Sequence, residues 1–264
     1  MSTVVKNQLR VCLLSVKYNI MKEMVNKVTF LTNILFMMLN NAAFIIQWTI
    51  LFSLREDIGG YTMREVMLLW GLIASSFGLS RILFARTFYL HELIVSGKLD
   101  AYLVQPKSVL LSVMTSSTET SAIGDFLYGV VLLCVFSFNI GRLLLFLLFT
   151  VTGALIITAF ALLVGSLSFW FVRTDMFGRH MINCMISFAT YPDGIFRGKA
   201  RFLLYYVIPV GMAVYHPVHI MVAFDAGTFL GVLGYTFCIW VVAVFVFYRG
   251  LRRYSSSNLM EARM

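Results

Sequence analysis

The sequence predicts an all-α polytopic membrane protein with about six transmembrane helices. Of the 264 residues, 60% are hydrophobic and only 12% are charged, whereas soluble domains carry about 25% charged residues. The mean hydropathy is +0.86. The long alternating strands of a membrane β-barrel do not occur in the sequence, and helices are the other structure that satisfies the backbone in a bilayer. We therefore expect a single transmembrane domain covering residues 1–264.

Residues 1–27 predict an amphipathic helix lying in the membrane surface. Five basic side chains accompany one acid, Glu23. The apolar face on a helical wheel carries Val5, Leu9, Cys12, Val16 and Ile20. The basic side chains beside that face are Lys6, Arg10 and Lys17. This arrangement is typical of interfacial helices, and an ordinary helical extension is the alternative. A short apolar core followed by a cleavage site is missing, so we expect no removable signal peptide.

Six apolar runs follow, and they predict the membrane spans because a span needs about 20 apolar residues. The predicted spans are residues 28–52, 63–84, 121–138, 143–171, 180–191 and 228–248. The fifth run is short, and its boundaries are poorly defined. Small residues at helical spacing allow close packing within the chain or between two chains. These pairs are Ala74/Gly78, Ser76/Ser80 and Gly227/Gly231.

Residues 192–226, before the last span, predict a re-entrant helical hairpin. The apolar run 202–215 has about 14 residues, a length more typical of re-entrant than of spanning segments. Pro192 precedes this run, Pro209 interrupts it and Pro217 follows it. Because proline breaks helices, we expect two short helices that dip into the membrane from the side opposite the N-terminus.

The distribution of basic residues predicts that both termini lie in the cytoplasm. Segments on the side of the termini hold 14 Lys or Arg, and those on the other side hold 6. The positive-inside rule then places the termini and the segment 86–119 in the cytoplasm. The basic residues are spread over the ends of the apolar runs, which excludes the concentrated patch of a nucleic-acid-binding protein.

Polar residues within the predicted spans are candidates for function. They are Asn40, Asn41, Arg81, Asp125 and Asn183. Interhelical hydrogen bonds that stabilise the bundle are the alternative role, and they are favoured for the two adjacent asparagines. Arg81 and Asp125 lie at similar depth, where they could form a pair. A chain of carboxylates that would mark a proton path is missing from the sequence, which argues against a proton-driven carrier.

The sequence lacks the motifs of an enzyme. The phosphate-binding pattern GxxxxGK[ST] does not occur, and neither do HExxH or GxSxG. The four cysteines are far apart and no CxxC occurs, which favours buried thiols over disulfides or metal ligands. His216 and His219 could hold a metal ion together, but Pro217 lies between them and Asp225 is the one acid nearby, so two interfacial histidines are the favoured interpretation. We expect no catalytic residue, cofactor site or metal site in this chain.

The polar segment 97–112, between the second and third spans, has the signals of a short structured helix. Gly97 readily adopts the left-handed conformation that ends a helix. A two-turn helix is predicted over residues 98–104, since Pro106 stops it and Ser108 can cap the helix that follows. The predicted apolar side of this helix consists of Leu99, Tyr102 and Leu103. A connecting loop with incidental helix is the alternative.

These motifs resemble those of the permease subunits of ABC-2-type ABC exporters, and more closely a bacterial six-span family within that class. The likeness covers nearly the whole chain and is carried by two tracts. The first is Gly97-Lys-Leu-Asp-Ala-Tyr-Leu-Val-Gln-Pro106, after the second span. The second precedes the last span and comprises Tyr191-Pro-Asp-Gly-Ile-Phe196, Ile208-Pro209 and Tyr215-His-Pro217.

The resemblance implies a transporter in a bacterial cell membrane, made of two permeases, identical or paralogous, and two copies of a separate ATPase that holds ATP and Mg. The N-terminal helix with Lys6, Arg10 and Lys17 would be an interface helix on the ATPase. The coupling helix, seated in a groove of the ATPase, would comprise Gly97, Lys98, Leu99, Asp100, Tyr102, Leu103 and Pro106. Few charges line the predicted spans, which favours a hydrophobic or amphipathic cargo such as a lipid, peptide or drug. A channel or secondary carrier without a motor is the alternative function.

Overall fold

The computed structural model describes residues 2–171 and 175–255, and in these ranges every regular element is a helix. The α-helices are α1 (Ser2–Glu23), α2 (Lys27–Leu54), α3 (Met63–Phe84), α4 (Leu90–Val95), α5 (Asp100–Leu103), α6 (Val109–Met114), α7 (Ala122–Phe136), α8 (Ile140–Ser166), α9 (Asp175–Ala189), α10 (Lys199–Tyr206), α11 (His216–Val222) and α12 (Ala226–Leu251). Shorter turns are the 3-10 segments Ala85–Tyr89, Leu167–Phe169 and Asp193–Ile195 and the π-helical turn Gly211–Tyr215. The all-α fold class is thus confirmed. Residues 256–264 lie outside the described residues.

Four helices in the described ranges are long and apolar enough to cross a membrane. They are Lys27–Leu54, Met63–Val95, Ile140–Phe169 and Ala226–Leu251, and they match the first, second, fourth and last predicted spans. α7 and α9 correspond to the other two, but each has only 15 residues. That length is about 22 Å at a rise of 1.5 Å per residue, less than the roughly 30 Å of the hydrocarbon core. The count of six spans therefore stays a prediction.

Side-chain caps fix where the long helices begin. The Asn26 side chain accepts a hydrogen bond from the backbone N–H of Thr29 at the start of α2. Thr62 and Glu65 form a reciprocal capping box at the start of α3. Asn139 caps α8 and Asp225 caps α12 in the same way. Each cap satisfies N–H groups that a helix start otherwise leaves without partners.

α3 is the centre of the bundle and packs closely against α7 and α8. Small residues allow this approach: a Cβ atom added at Gly129 of α7 would lie 2.1 Å from the carbonyl oxygen of Gly71. The predicted small-residue spacing on α3 is used in the same way, since a Cβ at Gly78 would lie 2.7 Å from a backbone atom of α7. By contrast, Gly231 of α12 has no atom of the described chain within 4 Å of such a Cβ.

α2 lies at the periphery and touches the bundle along one narrow seam. Its buried residues are Ile34, Asn41 and Trp48, which follow one another at seven-residue intervals. Most other large apolar side chains of α2, such as Leu39 and Ile46, are exposed, and α12 exposes Phe237 and Phe245 similarly. Such surfaces are compatible with lipid or with another membrane helix.

Different segments of the chain lie at the two ends of the bundle. One end, here called the terminal end, gathers α1, α4 to α6 and the C-terminal part of α12. There the Asn19 amide donates to the carbonyl oxygen of Thr115 at 3.3 Å, and the hydroxyls of Ser108 and Tyr248 lie 3.2 Å apart. The opposite end, the hairpin end, carries residues 192–226 and the loop between α2 and α3.

The hairpin segment is broken near its prolines. Pro192 precedes the 3-10 turn Asp193–Ile195. Pro209 lies in the break between α10 and the π-helical turn, and Pro217 lies in the first turn of α11. The residues after α10 are largely buried against α3, α8 and α12. Whether this hairpin enters the membrane from the outer side stays a prediction.

Candidate functional site

The segment from residue 85 to residue 119 forms a helical cap on the terminal end of α3 and α8. Its base is apolar and buried, with Leu90, Leu93 and Ile94 of α4 almost fully enclosed. Gly97 has a φ of +71°, a conformation that favours glycine, and it ends α4 as the sequence predicts. After this reversal Leu99 is fully buried. The Tyr102 hydroxyl donates to the Ser116 hydroxyl oxygen at 3.1 Å, so the segment is anchored just before α5 and within it.

Three details of this segment differ from the sequence prediction. The predicted two-turn helix over residues 98–104 is a single turn, Asp100–Leu103. Leu99 and Tyr102 are turned toward the protein, whereas Leu103 is 41% exposed, because one turn is too short to continue a single apolar stripe. Ser108 precedes α6 but its side chain does not cap that helix; its hydroxyl lies next to Tyr248 instead.

The exposed part of this segment is a small apolar knob with basic flanks, here called the tip. Val104 is 84% exposed, and Pro106 follows it on the surface. The tip consists of Lys98, Ala101, Leu103, Val104, Pro106 and Lys107, all of them exposed. Asp100 is half-buried at its edge. Because the tip protrudes from a buried base, it is suited to contact another protein.

α1 lies beside the cap and is half-buried along one stripe. The half-buried residues are Gln8, Val11, Cys12, Ser15, Val16, Asn19 and Ile20. Lys6, Arg10 and Lys17 are exposed. Leu9, predicted on the apolar face, is instead exposed, and the side chain of Val5 lies outside the described part of the chain.

Asn41 and Asp125 form a buried polar pair between α2 and α7. The Asn41 amide donates to Asp125 Oδ1 at 2.5 Å, and both residues are buried. The predicted pairing of Arg81 with Asp125 is wrong. Arg81 forms its ion pair with Glu119, and the Tyr89 hydroxyl lies 3.0 Å from each of them. The turn before α7 places Glu119 next to the end of α3, so Glu119 rather than Asp125 pairs with Arg81.

Asn40 and Asn183 do not contribute to this pair. Both are exposed, and neither makes a side-chain hydrogen bond with the described residues. Asn40 lies next to Asn41 on α2, so its side chain is rotated away from the seam that holds α2 to the bundle. Of the predicted intramembrane polar residues, the structure thus brings together Asn41 and Asp125 only.

A second polar cluster, at the hairpin end, surrounds the buried carboxylate of Asp193. One oxygen accepts a hydrogen bond from the Tyr61 hydroxyl at 2.9 Å. The other accepts from Tyr205 at 2.7 Å and from Arg201 at 2.9 Å. His219 Nε2 lies 3.1 Å from the Tyr61 hydroxyl and 3.7 Å from Asp193. This Asp193 cluster joins the loop before α3, the turn after α9, α10 and α11.

The surroundings of Asp193 keep its carboxylate ionised. Burial opposes the charge of Asp193, but the neighbouring His219 and the hydrogen bonds from Tyr205 and Tyr61 outweigh burial and hold its pKa well below the usual range. Burial and the hydrogen bond to Asp193 raise the pKa of Tyr205 to about 12. Both groups therefore keep one protonation state across the physiological pH range.

Sequence reasoning missed this cluster. The one signal of the cluster in the sequence is the tract 191–196, in which Asp193 stands between a proline and a glycine. The residues that bond Asp193 are up to 132 positions away in the chain. Asp225, considered as the acid near the two histidines, caps α12 instead. Within the described residues, His, Cys, Asp and Glu do not gather in groups of three or more that could hold a metal ion.

A comparison with protein families decides the class of the protein. The family described as ABC-2 family transporter protein matches residues 37–258. The chain belongs to this family. The match includes the tip and the Asp193 cluster, and it begins within α2. No curated protein and no solved structure matches the chain. The resemblance inferred from the tracts 97–106 and 191–217 is confirmed: this is an ABC-2-type permease, a membrane component of an ABC exporter that works with ABC ATPase subunits.

Proposed function

We propose that this permease couples ATP hydrolysis on separate ATPase subunits to the outward movement of a hydrophobic or amphipathic substrate across a bacterial cell membrane. Both termini and the tip lie in the cytoplasm, as the distribution of Lys and Arg favours. ATP and Mg²⁺ are held by the ATPase subunits. The chain itself supplies the path for the substrate and the surface on which the motor acts.

The observation that carries this proposal is the tip. Leu103 and Val104 expose apolar side chains on a base that is fixed by buried Leu99 and by the hydrogen bond of Tyr102. Exposed apolar groups with a polar rim are typical of binding surfaces. Lys98 and Lys107 flank them, so the matching groove on the ATPase has an acidic rim.

The base of the cap connects the tip to the transmembrane helices, so it can transmit a displacement caused by the ATPase. Leu90 of α4 packs directly on Gly165 of α8, where an added Cβ would lie 3.0 Å from the Leu90 Cβ. Arg81 and Glu119 tie the end of α3 to the turn before α7. A displacement of the tip therefore reaches α3, α7 and α8 through packed and hydrogen-bonded groups, without crossing a flexible linker.

The partner in the membrane is a second permease, identical or paralogous, that covers the outer face of α2. Asn40 supports this assignment, because it lies in the middle of α2 on an exposed face. An asparagine in contact with lipid tails leaves its amide without hydrogen bonds, which is costly. A helix from a second permease supplies the missing partner.

The tip is tested with the variants Leu103→Asp and Val104→Asp. Each places a carboxylate in an apolar contact that has an acidic rim, so we expect the amount of ATPase subunit that co-purifies to fall about tenfold or more. The permease itself should still insert and remain monodisperse, because both side chains are exposed. ATP hydrolysis by the assembled complex is measured in parallel.

Val222→Asp is the matched control, since Val222 is comparably exposed but lies at the hairpin end. We expect this variant to retain the ATPase subunits. If the two tip variants assemble with the ATPase and hydrolyse ATP like the parent, the tip is not the coupling surface. If the parent permease never binds an ATPase, the proposed function itself is wrong.

A further inference from the structure

A cavity with one charged side chain lies between α2, α3, α7 and α9. Its volume is about 350 Å³, within the range of small-molecule sites. Asn41, Asp125 and Ser187 contribute polar groups to its lining, and Phe44, Trp70 and Phe77 contribute aromatic rings. The rings of Phe44 and Trp70 pack against each other, with their centroids 4.3 Å apart and their planes inclined by 30°.

The carboxylate in this cavity forms no ion pair or hydrogen bond with a basic side chain of the described residues. Asp125 Oδ1 accepts the hydrogen bond from Asn41, and Oδ2 has no hydrogen-bond partner among the described residues. The charge of Arg81 is close enough to act on Asp125, but its guanidinium group is paired with Glu119. No Lys, Arg or His is among the described residues that line the cavity. A carboxylate inside a membrane bundle is costly unless a cation accompanies it.

The aromatic walls favour a cation as well. The faces of Trp and Phe rings attract ammonium groups, and an apolar lining excludes the small, strongly hydrated ions that a single carboxylate holds poorly. The exposed fraction of Phe44 and Ser187 shows that the cavity opens between α2 and α9. A ligand tail can therefore extend through this opening into lipid.

From this arrangement we infer that the cavity binds one amphipathic monocation, with its ammonium group at Asp125 and its apolar part against Phe44 and Trp70. The inference rests on the proposed function in one respect, since it identifies this chemical class as the transported substrate. Binding itself needs neither the tip nor the ATPase subunits. It is therefore testable on the purified permease alone.

The test measures binding of decyltrimethylammonium to the full chain in nanodiscs of zwitterionic lipid, by titration calorimetry against empty nanodiscs. Decylsulfonate, with the same chain and the opposite charge, is the matched ligand. We expect saturable binding of the cation and no saturable binding of the anion. Equal binding of the two ligands, or binding of the cation to empty nanodiscs only, would overturn the inference.

Asp125→Asn removes the charge with little change in shape, and we expect it to weaken cation binding about tenfold or more. Asp225→Asn is the control, because it makes the same change in net charge at an exposed helix cap. Ser187→Phe fills the cavity from its opening and leaves Asp125 intact, so it keeps the test decisive if Asp125→Asn fails to fold. Unchanged affinity in Ser187→Phe would contradict the location of the site.

The two proposals can fail separately. If the permease binds its ATPase through the tip but not decyltrimethylammonium, the substrate class is wrong and the exporter function stands. If the cation binds at Asp125 and no ATPase subunit associates with the chain, the site stands and the proposed function is wrong.

Discussion

Gly129→Ala is predicted to destabilise the protein by separating the two helices at its centre. The added Cβ would lie 2.1 Å from the carbonyl oxygen of Gly71 and 2.1 Å from the Ser75 hydroxyl, whereas ordinary contact begins at 3.4 Å. Because the closest atom belongs to the backbone, a change of rotamer cannot relieve the contact. α3 and α7 must therefore move apart by about 1 Å or more.

The structure allows the size of this effect to be worked out. Overpacking of this kind costs about 1–3 kcal/mol. The Ser75 hydroxyl donates to the carbonyl oxygen of Phe126 at 2.9 Å, and the loss of such a bond inside a membrane bundle adds about 0.6 kcal/mol. The total is about 1.6–3.6 kcal/mol, or roughly 3–14 °C in the midpoint of thermal unfolding for a chain of this size.

The assay is thermal unfolding of the purified permease, followed by intrinsic fluorescence. Gly231→Ala is the control, because an added Cβ there meets nothing within 4 Å in the described chain. Both variants gain the same helix propensity, about 1 kcal/mol, so their difference isolates the contact between helices. If Gly129→Ala unfolds within about 1 °C of Gly231→Ala, the close approach of α3 and α7 is refuted.

Three further predictions concern the two ends and the outer face. Asp193→Asn should weaken the hairpin end by about 2 kcal/mol, through its charge-assisted hydrogen bonds, and speed amide hydrogen exchange in residues 192–222. Since the folded-state pKa of Asp193 is lowered, the stabilisation of the hairpin end by this carboxylate is present above about pH 4 and is lost as pH falls through the folded-state pKa. We therefore expect equal protection from amide exchange at pH 5 and pH 7. Gly97→Ala should cost about 1 kcal/mol, since alanine is strained at a φ of +71°, and lower ATPase binding measured by co-purification. Asn40→Leu should reduce the dimeric fraction in mass photometry about threefold or more, and an unchanged dimer would remove α2 from the interface.

Much of the fold follows from composition and periodicity. Runs of about 20 apolar residues have few alternatives to a membrane helix, so α2, α3, α8 and α12 were predictable within a few residues. The end of α4 was predictable as well, because Gly97 supplies a backbone conformation that other residues adopt at a cost.

The polar contacts were harder to predict, because they depend on which segments the fold brings together. Arg81 bonds Glu119, 38 residues away, and Tyr61 bonds Asp193, 132 residues away; sequence spacing carries no information on such pairs. The predicted orientation of Leu103 is wrong for a different reason. Helical periodicity assigns a face only when a helix lasts for two turns or more, and α5 lasts for one.

The seam that holds α2 has a consequence for how a ligand would enter. α2 is buried at only three positions, one every two turns, so it is attached along a line rather than over a surface. A helix attached in this way can roll about that line while α3, α7 and α8 keep their own contacts. Since Phe44 of α2 forms one wall of the cavity, rolling widens or narrows the opening toward lipid. Rotation of α2 about its seam would thus control access from the bilayer to the cavity that contains Asp125.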